Sequence, residues 1–436
     1  MILLRNFVNI FFIPELRKKL FFTLVVLVVF RLGNHIPVVG VDVDALQQMI
    51  AKWRTLGGLF SYLDMFSGGQ LSQATLFALG VAPYITASIM MQMLGLSVPY
   101  LEQLLKEGEY GRRIVNQYTR YLALIVGVVQ SSTYAILLER NNLVVEPGWG
   151  FRLLFIFSLT VGAMFVMWLG EQISLLGIGN GSSIIIFAGI VAQFPKHLLQ
   201  TINYVREDSL SVIAALFILA VFLGIIGCIV FLERGQRKIP VQYARRVVGQ
   251  RMYAAQSTYI PFKINTAGVM PVILAGSVLQ IPMWILTVLA QRYDSFKHIA
   301  EWFSPTGLLL NVLQFAAIIL FTFVYTALVF NPDELADNIK KNGGFIPGIR
   351  PGKKTAEFFN YILTRIGLVG AVYLALLAVI PTILFHAIKN MPFYLGGTGM
   401  LIVVGVALEM AAQVESYLIE HRYEGFLSTG KFRGRN

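Results

Sequence analysis

A chain of 436 residues that is 56% hydrophobic and only 13% charged, with a mean hydropathy of +0.68, holds more apolar side chain than one soluble core can bury, which excludes an ordinary soluble domain. Its net charge of +12 would suggest nucleic acid in a soluble protein, but here the Lys and Arg fall between apolar runs, a placement that points to membrane topology and to acidic lipid or protein partners. Cys228 is the only cysteine and lies in an apolar run, which excludes a disulfide within the chain and argues against a thiolate metal centre.

In chain order, the first feature is a Phe-rich stretch at 7–13, for which an amphipathic surface helix is expected. Arg17, Lys18 and Lys19 then introduce an apolar run over 20–36 that lacks a small-residue cleavage site, so it is expected to stay as a membrane helix. Residues 57–72, GGLFSYLDMFSGGQLS, are apolar but too short to span and are interrupted by Gly68 and Gly69. Two readings fit: a surface helix, or a segment that re-enters only partway, tolerated where protein or a water-filled cavity surrounds it. A hydrocarbon core about 30 Å thick needs about 20 apolar residues of helix. Further runs of this kind stand at 75–96, 118–138, 151–169, 182–201, 210–232, 265–289, 308–330, 366–388 and 394–418, making ten with the first. Sorting Lys and Arg by alternate sides of these spans puts most of them on the side holding both termini, which the positive-inside rule assigns to the cytoplasm.

That side also carries two long basic loops. One is 233–263, with Arg234, Arg237, Lys238, Arg245, Arg246 and Arg251; the other is 331–365, with Lys340, Lys341, Arg350, Lys353 and Lys354. Fixing orientation and touching anionic lipid is the plain reading of such charges. Orientation needs only a few of them, however, and the Gly, Pro and Tyr punctuation suggests ordered hairpins, so both loops are candidate docking surfaces.

Catalytic chemistry is not visible. Gly352-Lys353-Lys354-Thr355 approaches a phosphate-binding loop but lacks the Gly five residues before Gly352 and the hydroxyl directly after Lys353. His35, His197, His298, His386 and His421 have no metal-binding spacing, so neither a metal nor a cofactor is expected. Arg31, Glu171 and Glu409 are the clearest ionisable residues within spans, too few for a proton relay. The composition alone leaves open a secondary transporter of a small solute, which would present polar groups on broken helices at the midplane.

The stretches MFSGGQLSQATLFALGVAPYITASI (65–89), KEGEYGRRIVNQYTRY (106–121), MWLGEQISLLGIGNGSSIIIFAGIVA (167–192), ERGQRKIPVQYARR (233–246), YAAQSTYIPFKINTAGVMP (253–271), YTALVFNPDELADNIKKNGGFIPGIRPGKKT (325–355) and PFYLGGTGMLIVV (392–404) are similar to those of the SecY family, channel subunits of the bacterial protein-secretion translocon. The chain resembles that family nearly end to end. The resemblance implies an all-α polytopic membrane protein: ten transmembrane helices in two pseudo-symmetric halves, 20–202 and 203–419, around a central pore, with cytoplasmic ends at 1–19 and 420–436 and a short re-entrant plug helix at 57–72. It implies a protein-conducting channel that moves secretory polypeptides across the bacterial cytoplasmic membrane and releases membrane helices sideways into it.

The same resemblance assigns residues. Val81, Ile85, Ile186, Ile273 and Ile402 match the aliphatic ring that closes the pore, although any buried helix face would also hold such residues. A narrow apolar waist resists ions by dewetting and offers a passing polypeptide no hydrogen bonds that would hold it. Ser182 departs from the pattern at a position often aliphatic in this ring. Phe60, Tyr62 and Phe66 would pack the plug, with Gly68 and Gly69 as its hinge. The second and seventh spans would part as a lateral gate, with Pro83 and Pro271 freeing backbone hydrogen bonds within them and Gln92, Gln130 and Asn180 close by. Arg251 and Arg350 match docking arginines for the SecA motor ATPase and for the ribosome, including its RNA, and bidentate guanidinium binding suits both. Such a partner would supply the energy that this chain's own residues do not. Further partners implied are SecE-like and SecG-like membrane subunits, signal sequences and nascent chains, and anionic lipids.

Overall fold

The computed structural model describes residues 13–47, 49, 67–207, 211–243, 247–248, 251–252, 257–292, 307–387 and 397–429. Nearly all of the expected surface helix at 7–13, and the plug residues Phe60, Tyr62 and Phe66, lie outside these. The chain forms two compact units, one gathering Met1–Gln200 with Val406–Asn436 and the other Thr201–Gly405.

In hydrocarbon a backbone can satisfy its own polar groups only as a helix or a closed barrel, and the apolar runs here choose the helix. The first unit contains α1 (Pro14–Gly33), α2 (Ala82–Ser97), α3 (Pro99–Lys106), α4 (Glu109–Arg140), α5 (Trp149–Leu176), α6 (Gly181–Val191) and the first part of α7 (Phe194–Arg206), which passes into the second unit at Thr201. The second contains α8 (Val212–Arg234), α9 (Met270–Arg292), α10 (Leu308–Val329), α11 (Pro332–Lys341) and α12 (Lys353–Ala387). A last helix, α13 (Gly397–Thr429), begins in the second unit and joins the first from Val406. Among the described residues a helix therefore stands at each of the ten predicted spans. By length and hydropathy alone, seven helical stretches among the described residues can cross a membrane, or eight if the bent pair Ala82–Gly95 and Pro99–Leu105 counts as one. α1 falls outside that set because Glu15, Arg17, Lys18, Lys19 and Arg31 charge its ends.

Two spans depart from the sequence expectation for local reasons. The span predicted at 75–96 becomes helical only at Ala82. Before it, Val38 donates to the Ala74 carbonyl (3.0 Å) and Leu76 to that of Ile36 (2.9 Å), so the backbone that an earlier turn would need is already paired. At the other end Val98, preceding Pro99, is extended as a pre-proline residue must be, and the chain bends by 103° into α3. The span predicted at 182–201 is broken at 192–193. Pro195 has no N–H to continue a ladder, and it occupies the first turn of the restarted helix α7.

Burial in the first unit centres on a cluster of Leu71, Ala74, Ala78, Tyr134, Leu138, Phe155 and Leu159. The Tyr134 hydroxyl donates to the Leu71 carbonyl at 2.6 Å while its ring meets Phe155 edge-on, so one side chain ties the short 3-10 turn Leu71–Gln73 before α2 to both long helices. At 32 residues, α4 is about 48 Å long and outreaches the bilayer core.

The second unit adds a sheet. β1 (Gln236–Tyr243) pairs antiparallel with β4 (Ser257–Lys263) from Gln236↔Lys263 to Gln242↔Ser257, and a two-residue pair, β2 (Val247–Val248) with β3 (Arg251–Met252), lies between them in sequence. β5 (Gly344–Phe345), from the other basic loop, extends the sheet through Gln242↔Phe345 and Tyr243↔Gly344. The two loops are thus one platform. Its core is Ile239, Val241, Phe262, Ala336, Ile339, Ile346, Phe359, Ile362 and Leu363, where alternate residues of β1 turn inward as the strand period demands. Phe262 is 1% exposed and stacks against both Phe330 and Phe359 at 5.4 Å. Phe262→Ala should cost the platform about 3–5 kcal/mol. The expected result is rapid protease cleavage within 233–263 with an unchanged helical circular-dichroism signal; equal resistance to cleavage would count against a shared core.

Candidate functional site

Each expected ring residue lies at or just past the start of its helix. Val81 is the N-cap of α2 and Ile85 sits one turn on, Ile186 is in the second turn of α6, Ile273 in the first turn of α9 and Ile402 in the second turn of α13. Val81, Ile186, Ile273 and Ile402 are buried and Ile85 is half-buried. Val81, Ile85 and Ile186 belong to the first compact unit, Ile273 and Ile402 to the second.

Ser182 has a local explanation. Asn180 caps α6, its Oδ1 accepting from the backbone N–H of Ser182 (3.2 Å) and of Ser183 (3.5 Å), and the Ser182 hydroxyl donates to that oxygen at 2.7 Å. A branched aliphatic residue at 182 would forfeit this last bond, and Asn180 itself is occupied as a helix cap. Gln92 is exposed and reaches only Ser88, at 3.5 Å, while Gln130 is half-buried on α4.

The expectation that Pro83 and Pro271 free hydrogen bonds inside spans is corrected. Pro83 is in the first turn of α2 and Pro271 is the second residue of α9, where an N–H would have no helical partner anyway. Among the described residues, the prolines inside helices are Pro282 of α9 and Pro381 of α12.

Gly68 and Gly69 hold positive φ, +71° and +80°, and are packed tightly. A Cβ on Gly68 would lie 2.7 Å from Gly189 Cα in α6, and one on Gly69 would lie 2.8 Å from Gln193 Nε2. The backbone at Gly68 is thus pressed against the helix that carries Ile186, only three residues before Gly189. Within it, Leu71 N–H donates to Ser67 Oγ (3.2 Å) and Ser72 Oγ to the Gly69 carbonyl (2.8 Å). Gly189 was not singled out by sequence reasoning, though a lone Gly in the isoleucine-rich stretch of α6 was the available signal.

Glu171, noted for its place in a span, has a partner that the sequence did not identify. Arg120 of α4 grips it with two bonds of 2.8 Å, neutralising both charges at an apolar surface. Arg350 is exposed in the turn between β5 and α12, and that turn is anchored by the Thr355 hydroxyl donating to the Arg350 carbonyl at 3.0 Å. Arg251 lies in β3, in the two-residue pair that separates β1 from β4 in sequence. Among the described residues no group of His, Cys, Asp and Glu could hold a metal ion.

A protein-family model described as SecY matches residues 75–411. The protein translocase subunit SecY of Thermus thermophilus is 43% identical over 443 residues, covering 100% of both chains. That of Escherichia coli K12 is 44% identical over 426 residues, 96% of each. Among solved structures, a protein-conducting channel superposes with a TM-score of 0.67 at 20% identity, and a SecY protein described for its plug domain with 0.65 at 21%, each over 95% of both chains. At that identity these two establish the fold.

Proposed function

The chain belongs to the SecY family, and from that premise we propose that it is the channel through which secretory polypeptides cross, and membrane helices enter, the bacterial cytoplasmic membrane. It is a translocase subunit and not an enzyme. The observation that carries this reading is 43% identity to a translocase subunit over the full length of both chains. The small-solute alternative has no comparable support, and the residues expected at the waist are aliphatic, without the polar groups such a carrier would need.

In this reading Val81, Ile85, Ile186, Ile273 and Ile402 form a yielding apolar waist, and residues 57–72 form the plug, rooted at Gly68 and Gly69. A signal sequence that binds better when the second and seventh spans are parted shifts the resting equilibrium toward the open gate. The basic platform receives a SecA-type motor or a ribosome through Arg251 and Arg350, and Arg350 suits this because its guanidinium is exposed on an anchored turn. SecE-like and SecG-like subunits complete the complex, with both termini of this chain in the cytoplasm.

The test is photocrosslinking in proteoliposomes that hold the complex, the motor and a stalled precursor. Photoreactive groups at Ile85 and Ile273 are expected to capture the precursor, while one at Phe217, a 61% exposed residue of α8, is expected to capture lipid alone. Precursor adducts absent from both ring positions, with insertion and motor binding verified, would overturn the pore assignment.

A further inference from the structure

In each half of the chain the fourth of the five spans meets the second and the fifth, which carry the ring residues, backbone to backbone. In the first half, Gly162 of α5 faces the carbonyl of Leu76, nine residues before Ile85. Two turns further along α5, the Gly170 carbonyl faces Gly181, five residues before Ile186. In the second half, Gly370 of α12 faces the carbonyl of Ile264, nine residues before Ile273. Two turns further along α12, the Leu377 carbonyl faces Gly397, five residues before Ile402. A Cβ on any of the four glycines Gly162, Gly181, Gly370 and Gly397 would lie 2.5 Å or less from the oxygen it faces. That oxygen belongs to backbone and cannot swing aside, so only glycine allows the approach, and C–H···O contacts of this kind recur where helices pack closely in lipid.

The repeat extends to the turns that enter the second spans. GVAPYI at 80–85 has its counterpart in GVMPVI at 268–273, and Gly80 and Gly268 both hold positive φ, +53° and +63°. The two carbonyls of the fourth spans are kept open to their glycines in different ways. On α5, Gly181 N–H donates to Ser174 Oγ (2.9 Å) and that hydroxyl donates to the Gly170 carbonyl (3.1 Å), a bridge across the contact. On α12, Pro381 stands four residues after Leu377 and has no N–H to donate to its carbonyl.

We infer that α5 and α12 are the registers of the ring: one glycine and one carbonyl on each set where the second and fifth spans of that half place their aliphatic side chains. Five residues of helix, a rigid rise of about 7.5 Å, carry any displacement at Gly181 to Ile186 and any at Gly397 to Ile402. The inference rests on the reading of those isoleucines as the waist, and makes the four glycines positioning residues for it.

Resting chloride efflux is measured with the complex in proteoliposomes, and electron cryomicroscopy of the same complex in nanodiscs reads the helix positions. Gly181→Ala and Gly397→Ala are each expected to raise efflux about tenfold. Each should also move the start of its helix by about 1 Å, the retreat that brings a Cβ toward the roughly 3.3–3.6 Å of a C–H···O contact. Gly150→Ala of α5 and Gly367→Ala of α12, where a Cβ would meet nothing within 4 Å, should change neither quantity. Ser174 supplies an arm that adds no atom at the contact. Ser174→Ala should raise efflux about threefold, the scale of one net hydrogen bond, while Ser174→Thr keeps the hydroxyl and should match the parent. Assembled Gly181→Ala and Gly397→Ala complexes whose helices stay in place, or efflux that rises equally in the Gly150 and Gly367 variants, would overturn the register. So would Ser174→Ala as tight as the parent, where the glycine variants fail to assemble. Helices that move without any efflux would support the register and remove Ile186 and Ile402 from the seal, so a failure of the ring reading is told apart from a failure of this one.

Discussion

Ile402→Asn is expected to make the resting channel leak small ions, raising chloride efflux from proteoliposomes at least tenfold. Ile402 is 0% exposed, and Val81, Ile186 and Ile273 are at most 6% exposed, so all four are buried. If these side chains form the waist, the barrier to an ion there is the cost of wetting an aliphatic constriction. An amide carried into it holds water, and about 1.4 kcal/mol off the barrier is already tenfold in rate. Burial alone does not distinguish a gate from core, so the control is another buried isoleucine. Ile173 of α5, also 0% exposed, should lose about 2–5 kcal/mol of stability as Ile173→Ala without any leak. Equal leaks from the two variants, or none from Ile402→Asn in a folded complex, would remove Ile402 from the seal.

How far the sequence could be read follows from which forces act at short range along the chain. Helix positions were legible because lipid leaves a long apolar run one way to satisfy its backbone, and even α6 with α7 reads as a span despite its break. The platform was legible only as two separate loops. Its unity depends on Tyr243 meeting Gly344 and on Phe262 meeting Phe359, pairings about a hundred residues apart that no local pattern encodes. Pro83 and Pro271 were misread for a related reason: a proline kinks a helix or starts one according to where the helix begins, and the start of α2 is set by backbone bonds from 36–38. Arg120 and Glu171 stood in plain view as charges, but their pairing needs the packing of α4 on α5. The ring residues are the opposite case. Nothing in five aliphatic side chains announces a pore, and they became candidates through family resemblance alone.

Gly68→Val should unseat the root of the 57–72 segment and leave the channel open more often at rest, with faster ion efflux and more tolerance of precursors bearing defective signal sequences. Two costs combine at this position. The backbone is left-handed, φ +71°, which a residue with a Cβ adopts at a cost of about 1–2 kcal/mol and a β-branched one less readily still. The added carbon would also lie 2.7–2.9 Å from the Gly189 Cα, C and O, backbone atoms of a helix that cannot swing aside as a side chain can. The bonds from Leu71 to Ser67 and from Ser72 to Gly69 lie within the stretch and do not themselves cross to α6. Gly189 is one turn from Ile186, and the loss is therefore expected at the waist as well as at the segment's root. Gly189→Ala is the control, adding a carbon on the other side of the same contact without either cost: its φ is ordinary, and its Cβ would meet Gly68 Cα at 3.4 Å, normal contact distance. It should leak far less than Gly68→Val. A Gly68→Val complex that assembles and stays as tight to ions as the parent would show that the seal does not depend on this contact.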